Sequence, residues 1–183
     1  YGKRHYNGGM MMKKPLPIGV DNFEKIIKDG YCYIDKTMFI KELLDLKGEV
    51  NLFTRPRRFG KTLNLSMLRY FFEDTGDAKK NEENQSLFQG LKIMEQGEEY
   101  VEHMGEYPVI NLTLKSAKQP TFESAYGKIR NAIADEFQRH QYILTSEKIS
   151  GEDKKLFEKI ADRKAEYEDY SGALVFLCKC LYL

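Results

Sequence analysis

The chain has 183 residues, one domain's worth, of which 42% are hydrophobic and 31% charged. Its formal net charge is +1, so no whole-chain field draws it to nucleic acid or to a membrane. No apolar run approaches the length of a membrane span, no secretory pattern opens the chain, and three cysteines do not suggest a disulfide framework, a combination that fits a reducing cytoplasm.

Residues 1–13 are expected to be a disordered leader or an appended extension, because Tyr1 to Gly9 is polar and patternless and precedes Met10, Met11 and Met12. Asp21 is placed to cap a short helix through Lys28, with Phe23, Ile26 and Ile27 inward. Tyr31 to Ile34 reads as a short strand. Thr37 opens a second helix with Phe39, Ile40, Leu43 and Leu44 on its apolar face, ended by Gly48. Asp35 or Thr37 is read as its cap.

The stretch Val50 to Thr54 is short and apolar, as a strand buried in a parallel sheet is. It leads into Thr54-Arg-Pro-Arg-Arg-Phe-Gly-Lys-Thr62. A phosphate-binding loop commonly reads Gly, four residues, Gly-Lys-Ser/Thr. Gly60, Lys61 and Thr62 supply the second half, and Arg55 stands where the first Gly is usual. Leu63, Leu65, Met67, Leu68, Phe71 and Phe72 follow at helical spacing. Backbone amides and a helix N-terminus present donors to phosphate oxygens. Gly60 allows close approach, Lys61 reaches the β- and γ-phosphates, and Thr62 offers a hydroxyl to Mg²⁺. Arg55, Arg57, Arg58 and Lys61 place four positive charges in seven residues, a density that phosphate explains better than a solvated face. The bland alternative is a basic loop capping a helix.

Residues 73–106 read as a polar, acidic excursion with short helices and an apolar island at Leu87, Phe88, Leu91, Ile93 and Met94. Tyr107 to Leu114 is expected as a second sheet strand, with Ile110, Leu112 and Leu114 on one face and Val109, Asn111 and Thr113 on the other. Thr121 caps a long helix carrying Phe122, Tyr126, Ile129, Ile133 and Phe137. Glu152 to Lys164 forms a charged helix with Leu156, Phe157 and Ile160 inward. Ser171 caps a last helix on which Leu174, Leu177, Cys178 and Leu181 line up. Cys178 and Cys180 point to different sides of that helix, which favours two packed thiols over a metal site. His103 and His140 are expected at the surface.

Three segments, Pro15-Leu-Pro-Ile-Gly-Val-Asp21, Gly30-Tyr-Cys-Tyr-Ile-Asp-Lys-Thr37 and Arg55-Pro-Arg-Arg-Phe-Gly-Lys-Thr-Leu-Asn-Leu-Ser-Met-Leu68, together resemble the bacterial AAA-ATPase-like family. Its members often carry a nuclease-like domain of the PD-(D/E)XK type at the C-terminal end. The resemblance runs from about Lys14 to the end of the chain and includes Tyr107 to Leu112. In that family an arginine before the Pro is usual. The resemblance implies an α/β fold of the P-loop nucleoside-triphosphate hydrolase type, a parallel sheet with flanking helices, and Mg²⁺-dependent ATP binding and hydrolysis. The ATP site then comprises Arg57, Arg58, Phe59, Gly60, Lys61, Thr62 and Leu63, with Thr62 also the ligand of Mg²⁺. An alternative to the capping role of Asp35 rests on likeness to ATPases in which a similar preface lies against the adenine, and would make Asp35 and Lys36 contacts on the base or ribose side.

Hydrolysis also needs an acid at the end of another strand and a group that positions water. No apolar stretch ending in Asp occurs between Thr62 and Leu183, and the resemblance places that strand a few residues further on. Residues 14–183 are therefore expected to be the N-terminal part of an ATPase domain, with an incomplete sheet and no assignable catalytic residue. The alternatives are a nucleotide-binding module without turnover and an Arg-rich element that binds nucleic acid for a nuclease-like domain.

Overall fold

The computed structural model describes residues 14–54, 56 and 59–183; the leader expected over residues 1–13, and Arg55, Arg57 and Arg58, lie outside the described residues. The helices are α1 (Phe23–Lys28), α2 (Met38–Leu46), α3 (Lys61–Phe72), α4 (Ala78–Ser86), α5 (Glu98–Val101), α6 (Phe122–Arg139), α7 (Gly151–Ala161), α8 (Tyr167–Ser171) and α9 (Ala173–Tyr182). The described residues divide into two compact units. One holds those up to Tyr70 together with Leu87–Val101; the other holds Phe71–Ser86 and Glu102–Leu183.

The expected parallel sheet is not formed among the described residues. Among the described residues β pairing is limited to one isolated parallel bridge, Glu73 with Tyr107. A strand exists only where a neighbour completes its hydrogen bonds, and strand propensity reports that setting more than the backbone itself. Among the described residues Val50 to Thr54 has no such neighbour: Val50 is 90% and Leu52 85% exposed, where a buried strand hides both faces. Tyr31 to Ile34 does not pair either. The Tyr31 amide donates to the Ile26 carbonyl at 3.1 Å and the Cys32 amide to Pro15 at 2.8 Å.

The first unit packs α1 against α3. Asn22, not Asp21, caps α1: its side-chain oxygen accepts the Lys25 amide at 2.9 Å. Asn22 Nδ2 donates to the Tyr70 hydroxyl, which donates to Glu24. Phe23 is fully buried, its ring 5.5 Å from that of Tyr33 and 5.0 Å from that of Phe88. Lys47, at φ 46°, ends α2 one residue before the expected Gly48. Leu87, Phe88 and Ile93 of the apolar island are buried, as their pattern implies.

The second unit is a helical core. Ile133 and Phe137 of α6, Phe157 and Ile160 of α7 and Leu177 of α9 pack together with Ile143 and Tyr170. Thr121 caps α6 by accepting the Ser124 amide, as expected, and Ser150 caps α7 through the Asp153 amide. Glu152 and Asp153 then lie in the first turn of α7, where negative charge suits the helix dipole. Ser171 ends α8, so Gly172 and not Ser171 precedes α9. On α9 Cys180 is buried, which pushes its thiol pKa up, while Cys178 is exposed; the inward stripe takes Cys180 in place of Cys178.

The second expected strand, Tyr107 to Leu114, shows where its hydrogen bonds went. The Tyr107 amide donates to Phe72 and its carbonyl accepts from Asp74, at the end of α3. Further on, side chains of the α6 C-terminus act in place of a neighbouring strand. The Val109 carbonyl accepts from Arg139 Nη2 and lies 3.1 Å from His140 Nε2; the Asn111 amide donates to Glu136 at 3.1 Å. His140 is therefore buried, not at the surface, with its Nδ1 3.1 Å from the Tyr142 hydroxyl. His103 is half-buried and stacks on Tyr107.

Candidate phosphate-binding site

Gly60 adopts φ +74°, a conformation that strains any side chain, and its carbonyl accepts the Asn64 amide at 2.9 Å to close the first turn of α3. The turn and the helix follow each other as the Gly-Lys-Thr spacing implies. Lys61 is the first residue of α3 and is exposed; its Nζ lies 3.4 Å from the Pro56 carbonyl oxygen. Thr62 and Leu63 are half-buried in the same turn, and Phe59 is 59% exposed just before it. Gly60, Lys61, Thr62 and Leu63 are thus brought to one helix start; Arg57 and Arg58 lie outside the described residues.

Beside the turn is a cavity of ≈ 190 Å³ lined by Phe39, Phe53, Lys61, Asn64 and Leu65. The Phe39 and Phe53 rings meet edge to face at 4.6 Å. Helical spacing puts Phe39 on a core face, and the apolar run Val50 to Thr54 puts Phe53 in a buried strand. Phe39 is half-buried and Phe53 is 38% exposed at this cavity. Periodicity marks an apolar face but does not separate one that packs from one that lines a cavity.

Asp35 and Lys36 take different parts. The Asp35 carboxylate accepts from the amide and hydroxyl of Thr37 and from the Lys92 amide. Burial acts against its charge, yet these hydrogen bonds together hold its pKa below the ordinary value. Asp35 is a structural anchor at the start of α2. Thr37 itself makes no side-chain cap; its hydroxyl accepts the Ile93 amide at 3.1 Å. Burial pushes the Tyr33 hydroxyl up to about 12, so it stays protonated, donating to Met67 Sδ and accepting the Lys36 amide.

No group of three or more His, Cys, Asp or Glu side chains able to hold a metal occurs among the described residues. Mg²⁺ takes much of its shell from water and substrate phosphates, so a single Thr62 hydroxyl is compatible with it. No helix among the described residues is long and apolar enough to cross a membrane.

A family model described as "Predicted AAA-ATPase" matches residues 17–176. The chain belongs to this AAA-ATPase-like family. The AAA-ATPase-like chain is also 40% identical over 84 residues to a protein of Azotobacter chroococcum mcd 1 named "Uncharacterized protein in vnfD 5'region". The matched stretch is 45% of this chain and 14% of that relative, so the chain spans a small part of the relative's length. No solved structure matches it.

Proposed function

We propose that the chain binds ATP at the start of α3, with Phe59 to Leu63 around the polyphosphate and Arg57 and Arg58 adding positive charge. The observation that carries this reading is Gly60 at φ +74° followed by Lys61 and Thr62 in a first helical turn. The first turn of a helix offers backbone donors that no intrahelical carbonyl takes, with the positive end of the helix dipole behind them. Lys61 neutralises β/γ charge. The Thr62 hydroxyl holds Mg²⁺, which when bound neutralises phosphate charge.

Hydrolysis is assigned to a longer chain. Residues 14–183 are read as a nucleotide-binding part, and none of them is assigned as the acid that steadies Mg²⁺ or the group that positions water. Thermal unfolding in the presence of Mg-ATP, Mg-ADP and adenosine tests the binding reading. A ligand that binds only the folded chain stabilises it by RT ln(1 + [L]/Kd), so at equal concentration the tighter ligand raises the midpoint more. ATP should raise the midpoint most and adenosine least. Equal shifts with ATP and adenosine contradict a site built for phosphate.

A further inference from the structure

The Lys36 ammonium stands beside the phosphate loop. Its Nζ is 3.8 Å from the point that a Cβ on Gly60 would occupy. Lys36 is exposed, and no carboxylate among the described residues forms an ion pair with it. The backbone on both sides of it is anchored. Asp35 Oδ1 accepts the Thr37 amide at 2.8 Å and the Thr37 hydroxyl at 2.7 Å, and Asp35 Oδ2 accepts the Lys92 amide at 2.8 Å. Thr37 is fully buried and accepts the Ile93 amide. The Lys36 amide itself donates to the Tyr33 hydroxyl at 3.4 Å.

A lysine with fixed neighbours and an unpaired head is pre-organised for an anion: the backbone ordering is complete before the ligand arrives. The nearest feature that calls for an anion is the Gly60 turn. We propose that Lys36 is a second phosphate-binding cation of the ATP site, positioned over the loop by Asp35 and Thr37, and that it contacts the polyphosphate and not the base or ribose. This rests on the reading of the Gly60 turn as the ATP site. Lys61 and Lys36 would approach the phosphates from different segments of the chain, one from the start of α3 and one from the turn before α2.

The test is calorimetric titration with Mg-ATP and with inorganic tripolyphosphate, which has no base or ribose. The proteins compared are the parent, Lys36→Met, Lys36→Arg and Lys61→Ala. Lys36→Met should weaken both ligands by about tenfold or more, as loss of a charge-assisted contact does. Lys36→Arg should recover most of that loss, and the ligand-free unfolding midpoint of Lys36→Met should match the parent's. Parent-like binding of both ligands by Lys36→Met overturns the proposal. So does a loss for ATP with none for tripolyphosphate, which puts Lys36 at the base or ribose. Loss at Lys61 with none at Lys36 leaves the ATP site standing without this cation. Loss at Lys36 alone keeps the cation and contradicts the role of Lys61. A parent chain that binds neither ligand removes both readings.

Discussion

Asp35 and Thr37 form a closed hydrogen-bonded turn: one carboxylate oxygen accepts both the amide and the hydroxyl of Thr37, at 2.8 and 2.7 Å. The other oxygen accepts the Lys92 amide, so a single side chain ties the start of α2 to the 3₁₀ turn Lys92–Glu95. Asp-Lys-Thr, part of the family resemblance, thus has a physical reason for its outer two residues before any ligand is considered.

Asp35→Asn should destabilise the protein by about 1–3 kcal/mol, because one acceptor oxygen is replaced by a donor facing other donors. The effect should depend on pH with a definite sign. Folding lowers the Asp35 pKa, so its contribution is present above the unfolded value of about 4 and is lost as pH falls through the lower folded value. Urea unfolding of both proteins from pH 7 to pH 2.5 checks this. The gap should be constant near neutrality and shrink below about pH 4. A gap that widens on acidification contradicts the assignment.

Glu136→Ala should cost about 3 kcal/mol, the usual consequence of breaking a buried ion pair. Glu136 is 7% exposed, pairs with Arg139 and accepts the Asn111 amide. Its loss leaves both donors without this acceptor. Amide exchange at Asn111 should accelerate more than exchange in the centre of α7. Unchanged exchange at Asn111 would show that another partner holds the 107–114 segment.

Phosphate release from Mg-ATP by this chain should be no faster than by its Lys61→Ala variant. Phosphate binding and water activation draw on different residues, so one does not require the other. Turnover that depends on Lys61 would reveal a catalytic acid within residues 14–183, and residues 73–106 are the first place to look for it.

Sequence patterns located α6 well because its signals are its own, whereas α8 carries no signal that was read and α7 ends at Ala161, short of the expected Lys164. The Thr121 cap and the four-residue spacing through Ile129, Ile133 and Phe137 are local, and they define α6. The Gly-Lys-Thr turn was legible for the same reason, since φ > 0 at Gly60 is a property of a single residue. The sheet was misread because pairing is not local. Val50 to Thr54 and Tyr107 to Leu114 have strand composition, yet nothing in their own residues shows which partner closes their hydrogen bonds. At Val109 and Asn111 those partners are Arg139, His140 and Glu136, about thirty residues away in sequence. His140 was misplaced for the same reason: its burial follows from Val109 and Tyr142, not from its polar neighbours in the chain. Lys36 was legible as a candidate, but its place beside Gly60 was not. Only the fold brings its ammonium next to Gly60.

Titration of Mg-ATP into the parent chain and into Lys61→Ala tests the central claim most directly. Lys61 is exposed at the first position of α3, so its removal should leave the fold intact. Loss of a charge-assisted contact worth about 1.5–3 kcal/mol predicts an affinity lower by roughly tenfold to a hundredfold. Equal affinity in the two proteins, with unchanged unfolding midpoints, would contradict the assignment of Gly60, Lys61 and Thr62 as the phosphate-binding turn.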